Sequence, residues 1–184
     1  MSKPCNLCIV VCGSPGAGKS AVADAAARRF AEVYGTCMVF RTDAFRKRLF
    51  PGEGYAREQT NEVYRATLAA AAMVAETERA VVLDGTFHST SRCEDALDAM
   101  PQHVVTWFVH VAASKEKRLA NLRGRTEADA CHSEYTAALL ADSAFNDRPC
   151  PVPHVRIDGD QSWGDVWEDV AHVCDQWIDM MEGR

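Results

Sequence analysis

The stretch Gly13-Ser14-Pro15-Gly16-Ala17-Gly18-Lys19-Ser20 decides how the rest of this chain is read. It fits G-x-x-x-x-G-K-[ST], a loop whose backbone N–H groups curl around phosphate oxygens. Its surroundings fit as well as its letters. The apolar run Leu7 to Cys12 precedes it and has the length of a buried parallel strand. The alanine-rich stretch Ser20 to Tyr34 follows and favours a helix. Strand, glycine turn and helix N-terminus together make an anion cradle at the positive end of a helix dipole. Lys19 is expected to reach the β- and γ-phosphates of a nucleoside triphosphate, and the Ser20 hydroxyl to sit on Mg²⁺. Nothing in the chain reads as a guanine-recognising motif, so ATP with Mg²⁺ is the expected ligand pair.

Outward from the loop, apolar runs alternate with helical patterns, the signature of an α/β domain. Cys37 to Arg41 reads as a second strand ending at Thr42-Asp43, with a short helix from Phe45 to Phe50 and a turn over 51–54. Glu58 to Glu78 reads as a long helix, and Ala80 to Leu83 as a third strand ending in Asp84-Gly85-Thr86. Ser91 to Met100 is helical, Val104 to Val111 is a fourth strand, and Ser114 to Arg125 begins a basic helix. Cys131 to Ser143 also reads as helix. Pro149, Pro151 and Pro153 interrupt the pattern before a fifth strand, His154 to Ile157. The last helix, Trp163 to Met181, carries Trp163, Trp167, Val170, Cys174, Trp177 and Met181 at helical spacing, which reads as a core-facing stripe. The expected fold is one domain over residues 1–184, a five-stranded parallel sheet with helices on both faces. A lid is expected over about residues 114–148, and the ligand crevice at the carboxyl ends of the strands.

Composition narrows the function classes. With 47% hydrophobic residues the chain is globular, and no apolar run reaches the roughly twenty residues that span a bilayer. The N-terminus leads directly into the first strand, so a soluble, cytoplasmic protein without a signal peptide is expected. A net charge of −6 disfavours broad, non-specific nucleic-acid binding. The eight cysteines are expected to stay reduced and to pack as small hydrophobes. Cys5 and Cys8 make a C-x-x-C pair, but no second pair follows at zinc-ribbon spacing.

The candidate chemistry lies just after the strands. Asp43 opens Asp43-Ala44-Phe45-Arg46, and a carboxylate there can take the proton of a hydroxyl attacking a γ-phosphoryl group. Arg46, one helical turn on, can hold the acceptor or a phosphate oxygen. The competing reading is an N-cap aspartate with a surface arginine. Asp84 ends a buried apolar strand beside the loop, where it can hold Mg²⁺ or orient the acceptor. Arg92 begins the next helix and can reach an acceptor pocket. Lys115, Lys117, Arg118, Arg123 and Arg125 lie on the basic helix. Arg123 is the first choice for an arginine that closes on the transferring phosphoryl, with Arg118 and Arg125 behind it. Arg148 is a more distant candidate for the adenine.

On these residues the chain resembles small P-loop kinases of the polynucleotide-kinase and zeta-toxin type. It is also similar to kinase domains attached to aminoglycoside-phosphotransferase-like proteins. The resemblance rests on Gly13 to Ser20, Asp43 with Arg46, Asp84 with Thr86, and Arg118 with Arg123, and it covers roughly residues 7–135. The runs Asp43 to Phe50 and Glu58 to Tyr64 look most like the last subgroup. It implies that Asp43 is the general base, that Arg46 binds the acceptor and that Arg123 contacts the transferring phosphate. Adenylylsulfate kinases share the D-x-x-R pattern, so the resemblance leaves the acceptor open. It can be a small metabolite or antibiotic, a nucleoside, or the end of a nucleic acid. The basic run Arg41, Arg46, Lys47 and Arg48 fits either an anionic acceptor or a nucleic-acid groove, and a kinase acting on a modified base or a 5′-hydroxyl of DNA is the runner-up. A nucleotide-dependent ATPase or switch without an acceptor is the alternative from another class. The sequence names no oligomeric state.

Overall fold

The computed structural model describes residues 6–52, 56–124 and 149–184. Five strands, β1 (Asn6–Cys12), β2 (Met38–Arg41), β3 (Ala80–Asp84), β4 (Val104–Ala112) and β5 (Val155–Asp158), form one sheet in the order β2-β3-β1-β4-β5. Every pairing in it is parallel. Between and after the strands come helices α1 (Lys19–Tyr34), α2 (Thr42–Leu49), α3 (Arg57–Ala75), α4 (Thr90–Ala99), α5 (Lys115–Arg123) and α6 (Trp163–Glu182).

Both faces of β1 are covered, which is why it reads as a continuous apolar run without alternation. Leu7, Ile9 and Val11 point into a core with Val22, Ala26 and Phe30 of α1 and Val166, Val170 and Trp177 of α6. Cys8, Val10 and Cys12 point the other way, against Tyr64 and Leu68 of α3 and Cys93 and Ala96 of α4. The alanines of α1 let that helix lie close on the sheet. Trp177 meets Trp107 of β4 with ring centroids 4.6 Å apart. Serines at the starts of α4, α5 and α6 accept hydrogen bonds from backbone N–H groups three residues on, satisfying donors that a helix start leaves open.

The register brings the strand ends to one edge, since Val11 and Arg41 both pair with Asp84. Gly85 N–H donates to the Val11 carbonyl (3.2 Å) and Gly13 N–H to the Thr86 carbonyl (3.3 Å), stitching the loops after β1 and β3 together. Because β1 lies between β3 and β4, the chain leaves β1 toward one side and β3 toward the other. A crevice opens at that point.

Several boundaries differ from the sequence reading. The helix after β2 begins at Thr42, so Asp43 lies in its first turn. The long helix starts at Arg57 and stops at Ala75. The final stripe is also corrected: the buried residues of α6 are Val166, Val170, Cys174, Trp177 and Ile178, whereas Trp163 is 52% exposed. Trp163 is the first residue of α6 and precedes the part of the helix that lies on the sheet. The helix expected over Cys131 to Ser143 lies outside the described residues.

Candidate functional site

Glycine geometry builds one half of the site. Gly13, Gly16 and Gly18 have φ values of 141°, 81° and 98°, which L side chains rarely adopt. A Cβ on Gly13 would stand 2.4 Å from the Val111 carbonyl oxygen, and one on Gly16 would stand 2.7 Å from the Arg118 carbonyl oxygen. A Cβ on Gly18 would meet nothing within 4 Å, so the loop is open on that side, at the start of α1. Lys19 Nζ donates to the Ser14 carbonyl at 3.1 Å, folding its ammonium back over the loop.

The loop forms one wall of a cavity of about 1050 Å³. Pro15, Gly16, Ala17, Gly18, Lys19 and Ser20 line it on that side, and Asp43, Arg46, Asp84 and Arg92 line it elsewhere. The structure therefore brings together most of the residues singled out from sequence. Asp84 is buried at the junction. Burial pushes its carboxyl above the ordinary carboxylate range, while Lys19, the Ser20 hydroxyl and Arg41 pull it back and Asp43 adds to the rise. Arg41 is ion-paired to Asp24 and approaches Asp84 with Nε 3.6 Å from Oδ2.

Helices α2, α3 and α4 build the opposite half. Arg46, 4% exposed, donates to Thr60 Oγ1 at 3.0 Å. Arg92 lies over the Tyr64 ring, 4.3 Å from its centroid, and donates to Asn61 Oδ1. The loop between β3 and α4 is anchored by Phe87, which is fully buried and has φ 38°, the one positive φ outside glycine among the described residues. Its N–H donates to Tyr64 Oη (3.4 Å), its carbonyl accepts from Cys93 Sγ (3.4 Å), and its ring meets Tyr64 edge-on at 5.1 Å. With Phe87 turned inward, its neighbours Thr86, His88 and Ser89 line the cavity.

The basic helix divides differently from expectation. Arg123 is exposed and is not on the cavity wall, and Arg118 is 2% exposed with its backbone packed on Gly16. Arg125, Arg148 and most of the expected lid lie outside the described residues. The α5 cation that does line the cavity is Lys117. Nor does the run Arg41 to Arg48 present one basic face, since Arg41 is ion-paired and Arg46 is interior.

Sequence reasoning missed Thr60, Asn61 and Tyr64, which reach Arg46 and Arg92, and also Asn121, Asp160 and Trp163. Asn121 Nδ2 donates to the Gly16 carbonyl at 2.8 Å, tying α5 to the loop. Asp160, after β5, accepts from Ser114 N–H and Oγ at 3.0 and 2.8 Å, fixing the start of α5. An amide inside a run of charges was the only available signal for Asn121. Trp163 was hidden by the helical stripe it appeared to continue, yet it lines the cavity.

This arrangement defines a kinase-like P-loop nucleoside triphosphatase fold. Residues 8–146 match the AAA_33 family model, described as an AAA domain, and the chain belongs to that family. No curated protein matches it. Among solved structures it is similar to the APS kinase of Mycobacterium tuberculosis in complex with AMPPNP and APS. That match has a TM-score of 0.69 and 18% identity, covering 98% of this chain and 99% of that one. A gluconokinase from Sinorhizobium meliloti 1021 matches with a TM-score of 0.61 and 17% identity, covering 97% and 96%. A chain of the Pnkp1/Rnl/Hen1 RNA repair complex matches with a TM-score of 0.58 and 15% identity, covering 83% of this chain and 51% of that one.

Proposed function

We propose that the protein is an ATP-dependent phosphotransferase that moves the γ-phosphoryl group to a hydroxyl of an acceptor. The observation that supports this reading is that the phosphate loop and Asp43 line one cavity. A hydrolytic site needs only a positioned water, whereas this cavity of about 1050 Å³ has room for an acceptor beside a nucleotide. Lys19 would neutralise charge on the β- and γ-phosphates, with Lys117 the α5 cation on the cavity wall and Arg123 the second candidate. Asp43 would accept the hydroxyl proton, and Arg46 would orient the acceptor.

The residues present fit a magnesium ion. Among the described residues no cluster of three His, Cys, Asp or Glu side chains exists, so those residues offer no complete cage. What it offers is a buried carboxylate, Asp84, beside the Ser20 hydroxyl. That is the partial oxygen set that suits Mg²⁺, which keeps waters and phosphate oxygens as its other ligands. Ser20 and Asp84 would hold the ion, and the ion would neutralise phosphate charge.

The test follows the label of γ-labelled ATP in the presence of candidate hydroxyl compounds. Its appearance in an acceptor supports transfer. If it reaches only water with every acceptor while ATP binds normally, the phosphotransferase reading fails.

A further inference from the structure

We infer that Asn121 is a positioning residue for the phosphates of the bound nucleotide: its amide holds the Gly16–Ala17 peptide of the loop with the carbonyl turned to α5 and out of the phosphate cradle. This rests on the reading of the loop as the ATP site and is independent of any acceptor.

A phosphate loop binds through N–H groups, so its carbonyls must be directed elsewhere and find hydrogen-bond donors there. At Gly16 that donor comes from outside the loop. The Gly16 carbonyl accepts from Asn121 Nδ2 at 2.8 Å, across 105 positions of sequence. The nitrogen must be the atom that faces it, because a carbonyl oxygen can only accept. The other end of the same peptide plane, the Ala17 N–H, donates to the Ser14 carbonyl at 3.2 Å. One peptide is thus held at both ends, by the loop on one side and by α5 on the other. Gly16 has φ 81°, and a peptide beside a glycine turns over more readily than one between residues with side chains. Turned over, this one would set a carbonyl dipole where a phosphate needs an N–H.

Helix α5 is fixed firmly enough to act as the anchor. A Cβ on Gly16 would stand 3.1 Å from Arg118 Cβ and from Leu122 Cγ, so the helix lies directly on the glycine. The start of α5 is held separately, where Asp160 accepts from the Ser114 N–H and hydroxyl. Asn121 follows Lys117 by four residues, the spacing that puts two side chains on one helix face, and both line the cavity. The bond that fixes the loop peptide therefore also sets where α5 places its cavity-lining cation. Nothing about the helix itself asks for an amide at this exposed position, since leucine and alanine are both better helix formers. The competing role is simple docking, in which Asn121 only fills space between α5 and the loop.

Equilibrium titration of the whole protein with ATP, ADP and adenosine separates the two roles. Asn121→Leu keeps the side-chain volume and removes the hydrogen-bond donor, and Asn121→Ala removes both. Neither adds a charge or weakens the helix. In both variants the Kd for ATP and for ADP should rise about three- to tenfold, while the Kd for adenosine stays within about twofold of the parent. Ser114→Ala, which loosens the far end of α5, should leave all three values near those of the parent. Thermal unfolding without ligand should show both Asn121 variants folded. Unchanged ATP and ADP affinity in Asn121→Leu would overturn the inference and leave the ATP site standing, and a loss confined to Asn121→Ala would do the same by marking a packing role. An equal loss for adenosine, or the same phosphate-dependent loss in Ser114→Ala, would also overturn it. A parent protein that binds neither ATP nor ADP would end both readings.

Discussion

The two halves of the cavity are made by different means. The half proposed for the donor is backbone: three glycines at positive φ, a helix start, and a carbonyl 2.4 Å from where a Cβ would be. The half proposed for the acceptor is side chain: two arginines, a tyrosine, a threonine and an asparagine from three helices, around one inward-turned phenylalanine. Phosphate oxygens are the same in every nucleoside triphosphate, so a fixed backbone shape can serve them all. An acceptor varies, and side chains can be exchanged to follow it without rebuilding the loop.

Substitutions should separate the halves. The largest effect is expected from Gly13→Ala, which sets a methyl group against the Val111 backbone in a left-handed conformation. A loss of more than about 3 kcal/mol is expected by denaturant unfolding. Gly18→Ala, with open space around it, should cost only the backbone strain, about 1–3 kcal/mol. Next comes Lys19→Ala, which should cut turnover by about a hundred- to a thousandfold and weaken ATP binding with it, measured by steady-state kinetics and titration. On the acceptor side, Tyr64→Phe strips the partner from a buried Phe87 N–H and should cost about 1–3 kcal/mol, with ATP affinity unchanged.

Asp84 stands between the halves and gives the smallest effect. Its folded-state pKa lies above its unfolded value, because burial outweighs its cationic neighbours. Such a group favours the fold when protonated, and that contribution is lost as pH rises through the folded pKa. Asp84→Asn should therefore raise the melting temperature of the ligand-free protein by a few degrees at neutral pH. The gain should vanish below the ordinary carboxylate range, while turnover falls.

The same contrast explains what could be read from sequence. The donor half was legible because its spacing is forced by backbone geometry, and because strand, loop and helix are contiguous from Leu7 to Tyr34. The parallel sheet was legible from apolar runs that alternate with helical patterns. The acceptor half was only partly so. Asp43, Arg46 and Arg92 could be proposed because they follow strands, but Thr60 and Asn61 meet those arginines only through the packing of α3 against α2 and α4. Trp163 was misread because a helical stripe records spacing and not where the helix leaves the sheet. For Arg123, the pattern gave a cation on the right helix, and the helix turned it to solvent.

The most direct test of a transfer site made of two such halves is Asp43→Asn, with turnover and ATP affinity measured on the same preparation. If Asp43 is the base, turnover falls by about a hundred- to ten-thousandfold while the Kd for ATP stays within about threefold of the parent. Near-normal turnover in that variant would contradict a base at Asp43 and leave the donor loop without the partner that makes the cavity a site of transfer.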